Sequence, residues 1–183
     1  MPKDAFKQAA ELAHARAEML FRYQLQPNGI DELWLARGVP YFYKYQFIND
    51  FYPEEKWIPF SNSFVGRFFA LDAFDYSYQN QFLYLYLARQ GLDQSISTPA
   101  DSMSRLNYEA IAEAKTFMAL SHLREYISPN TFKRSMKRFV EDSTTASVPQ
   151  LKSSFQYFAN KSVDWFFQDW VPSSKPYNYT LTK

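Results

Sequence analysis

The sequence has no cysteine, four glycines, two histidines and a formal net charge of only +1. The lack of cysteine removes disulfides, thiolate metal sites and cysteine nucleophiles together. Nearly balanced charge leaves no field to draw the chain to nucleic acid or to an acidic membrane surface, and neither partner is indicated. The longest uninterrupted apolar run is Phe82–Ala88. It is far below the ~20 residues that a membrane helix needs, so no membrane insertion is expected. Met1 opens no signal-peptide pattern, so any export signal of a parent protein is expected to lie outside this stretch.

Aromatic side chains are abundant: 20% of the 183 residues are Phe, Trp or Tyr, and 46% are apolar. That length and composition suit one globular domain with an aromatic-packed core. No region alternates with a two-residue period and no internal repeat or low-complexity tract occurs, so an all-α fold is expected. Residues 1–171 are expected to form a single multi-helix domain, and 172–183 an extended polar tail.

The first helix is expected from Asp4 to Tyr23, rich in Ala, Leu, Glu and Gln and free of Gly and Pro. Phe6, Ala9, Ala10, Ala13, Ala17 and Leu20 form a small-residue stripe along it. Gln26-Pro27-Asn28-Gly29 signals a turn. A second helix is expected from Ile30 to Phe47, kinked or split at Pro40, with Leu33 and Trp34 inward and Phe42, Tyr45 and Phe47 inward as a group. Helices are also expected over Asn62–Phe74 and over Asn80–Gln90, the latter central because it is apolar on all sides. Thr98-Pro99 and Ser128-Pro129 read as helix starts, and Asn107–Tyr126 is the longest regular helical pattern. Ser147-Val148-Pro149 opens a helix to Phe158, and Ser162 caps a last one.

Four phrases carry the chemistry. Ala10-Glu11-Leu12-Ala13-His14 lies on the first helix, and Leu33-Trp34-Leu35-Ala36-Arg37-Gly38 begins the second. Glu113-Ala114-Lys115-Thr116 follows, with Leu120, Leu123 and Arg124 after it, and Trp165-Phe166-Phe167-Gln168-Asp169-Trp170 comes last. In this order they resemble the zinc aminopeptidases of the aminopeptidase N type, the gluzincins. There H-E-x-x-H is followed by phrases like L-W-L-N-E-G, Y-E-K-G-x-x-x-L-x-x-L-R and F-F-x-x-W. The resemblance covers most of the chain and implies the helical subdomain of a thermolysin-like catalytic domain. The interval from His14 to Arg37 is several residues longer than the family's usual form.

In that signature two histidines at i and i+4 bind zinc, the glutamate between them is the general base, and a carboxylate from the next helix completes the ligands. Carried over residue by residue, Ala10 stands at the first histidine and cannot coordinate. Glu11 matches the base and His14 the second histidine. Arg37 stands at the carboxylate ligand, where its fixed positive charge opposes a metal. Glu113 stands at or near the tyrosine that stabilises the tetrahedral intermediate, where a carboxylate repels a developing oxyanion.

Plainer readings stand beside these. His14 can be an ordinary hydrogen-bonded helix residue, and Glu11 a solvated one unless it pairs with Arg37, which would put an ion pair where the metal was. Glu18 extends Glu11 and His14 along one face, which leaves a non-standard metal site conceivable. A di-metal bundle needs a second Glu-x-x-His, and the chain has none. The basic group Lys133, Arg134, Lys137 and Arg138 reads as a solvated helix face. The tyrosines of 41–45 and 76–86 either pack or line a former substrate cleft.

The resemblance also places a β-rich domain and a small sheet upstream, so Met1 is expected to be an artificial or processed start and the chain a fragment. Apolar surface left uncovered is expected to self-associate or to dock on the missing segment. Three functions are open: an inactive aminopeptidase-like domain with a structural or protein- or peptide-binding role and no cofactor; a divergent metallopeptidase holding zinc through substitute ligands; and an unrelated helical interaction module.

Overall fold

The structure, a computed structural model, describes residues 3–25, 32–58, 63–142 and 146–174. Among the described residues the secondary structure is helical without strands, with one isolated bridge between Lys56 and Asp75. The turn expected at Gln26–Gly29 and the tail from residue 175 lie outside the described residues.

Helix α1, Lys3–Glu18, continues into a π-helical stretch, Met19–Gln24. A π-helical Trp34–Gly38 runs into α2, Val39–Phe51, with Pro40 in its first turn. Proline has no N–H to donate, and the change of hydrogen-bond register falls where it sits. Cross-helix pairs run in opposite order, Glu18 with Arg37, His14 with Tyr41, Glu11 with Lys44 and Phe6 with Tyr52, so α1 and α2 are antiparallel. Leu33, Trp34, Phe42 and Tyr45 are buried as expected, whereas Phe47 is only half-buried. Phe6 and Ala10 are buried, but the rest of the small-residue stripe is only partly so.

The central element is not the apolar helix of residues 80–90. That position belongs to one continuous helical run made of α5, Arg105–Asn107, a π-helical Tyr108–Lys115, and α6, Thr116–Ile127. From Ala110 to Leu120 only Glu113 escapes full burial. Its alanines let neighbours approach closely: a Cβ added to Gly38 would meet the Ala112 carbonyl oxygen at 2.3 Å, so only glycine fits there.

The segment expected as a helix over Asn62–Phe74 is mostly not one. It holds a five-residue α3, Phe64–Phe68, broken by Ala70 in the left-handed region, then a 3-10 turn, Leu71–Ala73. Helix α4, Tyr78–Arg89, buries only Asn80, Tyr84 and Leu87, one stripe at i, i+4 and i+7, and lies at the edge. Its tyrosines and glutamines supply polar atoms that a wholly buried helix would leave unsatisfied. Thr98-Pro99 leads only into a 3-10 turn, Ala100–Ser102, and Ser104 provides the cap instead, accepting from the Asn107 N–H.

The later starts match expectation. Ser128 precedes α7, Pro129–Asp142, and the Ser147 hydroxyl accepts from the Gln150 N–H at the start of α8, Val148–Phe158. The Ser162 hydroxyl likewise accepts from the Asp164 N–H ahead of the last π turn, Phe166–Trp170. Half of the basic group on α7 is not simply solvated: Arg134 lies 4.3 Å over the Phe158 ring and Arg138 3.7 Å over Tyr157, clasping α8. Phe42, Phe117, Phe132 and Phe155 form an aromatic chain that ties α2, α6, α7 and α8 into one core.

Candidate functional site

On α1, residues 11, 14 and 18 share a face through their three- and four-residue spacing, and 37, 41 and 44 do the same on the second helix. Antiparallel packing turns these two sets into a ladder. Lys44 donates to Glu11 at 2.6 Å, the His14 and Tyr41 rings meet edge to face at 6.1 Å, and Arg37 donates to Glu18 at 2.7 Å. The central π segment adds the third side, with Arg37 also donating to Glu113 at 3.0 Å.

Arg37 therefore joins three helical runs through two carboxylates. Of the two readings open for Glu11, the pair with Arg37 is not the one seen among the described residues. Glu11 lies seven residues before Glu18, about 10 Å of helix rise, and Arg37 sits opposite the later residue. Lys44 takes Glu11 instead.

Glu11, His14, Arg37 and Glu113 line one open cleft of about 480 Å³, with Tyr41, Lys44 and Tyr108 among its other walls. Ala10 is buried and does not line it. The Arg37 guanidinium also lies over the Tyr108 ring, 5.6 Å from its centroid. The charges mix: Glu11, Glu109 and Glu113 face Arg37, Lys44 and Arg105, so the cleft has no strong field of one sign.

Burial pushes the His14 pKa below its ordinary 6.5, against the opposing pull of Glu18. The imidazole is thus neutral at pH 7, and among the described residues its Nε2 is buried with no hydrogen-bond partner. Burial also raises the Glu113 pKa, a trend that Arg37 opposes. The phenols do not ionise near neutrality: burial raises Tyr41 and Tyr43 far above their usual value and Tyr45 to about 12. Tyr41 instead donates to the Asn80 side-chain oxygen at 2.9 Å, fixing one cleft wall to α4.

The zinc implied by the resemblance does not fit these side chains. His14 is the only imidazole in the cleft, and the carboxylates of Glu18 and Glu113 are both engaged by Arg37. A divalent ion drawn to them would meet a guanidinium that cannot lose its proton. Among the described residues no group of three or more His, Asp and Glu side chains is placed to hold a metal ion.

Sequence reasoning assigned no role to Lys44, named Tyr41 only among the tyrosines that either pack or line a cleft, and assigned none to Arg105 or Tyr108. For the first two the signal was present, since 37, 41 and 44 share helical spacing with 11, 14 and 18. Arg105 and Tyr108 reach the cleft only through tertiary packing. Compared with protein-family models, with curated proteins and with solved structures, the chain matches none.

Proposed function

We propose that the chain is a catalytically inactive, aminopeptidase-like helical domain whose role is structural or is the binding of a protein or peptide, without a metal cofactor. The observation that carries this reading is Arg37. It occupies the position that the resemblance gives to the third zinc ligand, and it is held there by Glu18 and Glu113 in the cleft lined by Glu11 and His14.

Metal-assisted peptide hydrolysis needs a Lewis acid to polarise the carbonyl and to activate water. Arg37 supplies positive charge, but it is already neutralised by two carboxylates and cannot bind water as a metal does. Glu113 adds negative charge where an oxyanion would develop. Glu11, the residue matched to the general base, is tied to Lys44. What remains is a cleft that can contact backbone amides and charged termini without supplying a nucleophile.

The convergence of His14 and Arg37 on one cleft favours this reading over an unrelated helical module, which requires no such meeting. The purified chain is expected to leave aminoacyl anilides and short peptides intact. Hydrolysis that disappears both with a chelator and in Glu11→Gln would overturn the reading in favour of a divergent metallopeptidase.

A further inference from the structure

Helices α3 and α4 leave several large apolar side chains exposed. In the short α3 segment Phe64 and Phe68 are 86% and 77% exposed, and Val65 and Phe69 are exposed beside them. On α4, Phe82, Leu85 and Tyr86 are exposed at i, i+3 and i+4, opposite the stripe that packs on the core. Phe74, which follows the 3-10 turn after α3, meets Phe82 of α4, their ring centroids 5.9 Å apart, and so links the two elements.

Taking roughly 150–250 Å² for a fully exposed aromatic side chain and somewhat less for an aliphatic one, these seven residues present about 800 Å² to water. The largest apolar patch on an ordinary monomer is roughly 300–600 Å². One side of a standard protein interface is about 800 Å². A five-residue helix is also too short to persist by its own hydrogen bonds, and α3 makes its main contacts with the adjoining 3-10 turn. Covering this face supplies the packing that α3 lacks.

We propose that this face is where a second copy of the chain docks, α3 and α4 of one copy against α3 and α4 of the other. Its composition suits an interface centre: residues 63–92 hold no lysine and no glutamate, and aromatic residues dominate. Its few charges are of both signs, Arg67 and Arg89 with Asp72, while Asp75 is paired with Lys56. In a twofold contact each residue meets the complementary part of the same patch, so a face of mixed sign matches itself. A strongly acidic or basic partner would call for one sign only. The formal net charge of +1 puts little repulsion between copies. None of these residues lines the charged cleft, so this inference and the proposed function stand or fall separately.

Sedimentation velocity on the full chain across a micromolar concentration series tests it. The expected result is a dimer, with Phe68→Asp and Tyr86→Lys each weakening self-association at least about tenfold while the far-ultraviolet circular dichroism is unchanged. Leu12→Lys, at an exposed apolar position of α1, is expected to leave the dimer intact. A wild-type chain that stays monomeric through the series, a dimer that survives both face variants, or one that Leu12→Lys abolishes would overturn the proposal. Flotation of the wild type with phosphatidylcholine–phosphatidylglycerol vesicles, lost in Phe68→Asp, would also overturn it by showing that the face meets lipid.

Discussion

Glu113 and Lys115 stand two residues apart on the same π-helical segment, and each is held by an ion pair, yet the two arrangements differ in kind. The Lys115 ammonium donates to Asp93 Oδ1 at 2.8 Å, to the Gln94 carbonyl at 2.7 Å and to the Ser173 carbonyl at 3.1 Å. An ammonium has three N–H groups, and all three are used. The Tyr84 hydroxyl donates to the other Asp93 oxygen, and the side chains of Lys115 and Asp93 are only 2% and 4% exposed. The Arg37 cluster is open, with the arginine side chain 26% exposed and the unpartnered His14 nitrogen beside it. A closed and fully satisfied knot holds the loop after α4 and the stretch at Ser173 against the central run. The open one stays in reach of solvent and keeps an unpartnered nitrogen.

Substitutions should separate the two. The largest effect is expected at the closed pair: Asp93→Ala leaves a buried ammonium without its anion and should cost about 3–5 kcal/mol. At roughly 2–4 °C per kcal/mol for a chain of this size, thermal unfolding should show it clearly. Arg37→Met should cost less, about 1 kcal/mol, because the guanidinium is partly hydrated and Glu113 can take up a proton once its partner is gone. Equal losses in the two variants would erase the distinction between the knots.

The smallest effect is a pH dependence at His14. Its folded-state pKa lies below the ordinary 6.5 because of burial. Its contribution to stability is therefore fully present above pH 6.5 and is lost as the pH falls from there towards the folded value, since the unfolded chain takes up the proton first. Urea unfolding at pH 7.5 and 5.5 should show the wild type losing more stability on acidification than His14→Gln. The same slope in both proteins would mean that His14 is more hydrated than its surroundings indicate.

Much of this organisation was readable in advance where the signal is local. Ser128-Pro129 and Ser147-Val148-Pro149 fix helix starts through a side-chain cap and a preset φ, and both helices begin there. The spacing of Glu11, His14 and Glu18 on one face was equally plain. What failed depended on neighbours. Helix α4 has the more apolar composition, but the central run has the smaller side chains, and close packing around a helix selects for small ones. The burial of Lys115 follows from contacts with residues tens of positions away. Glu11 reads as a solvated residue unless it pairs with Arg37, because the implied arrangement brings the two near each other. Only the observed stagger of α1 against the second helix sends Arg37 to Glu18 and Lys44 to Glu11.

On the proposed reading Arg37 stands at the third zinc ligand's position and the cleft takes up no metal. Metal analysis of the purified chain after incubation with zinc and removal of the excess tests it most directly. The account predicts well under one zinc per chain, unchanged in His14→Ala. One zinc per chain, abolished by His14→Ala, would contradict it.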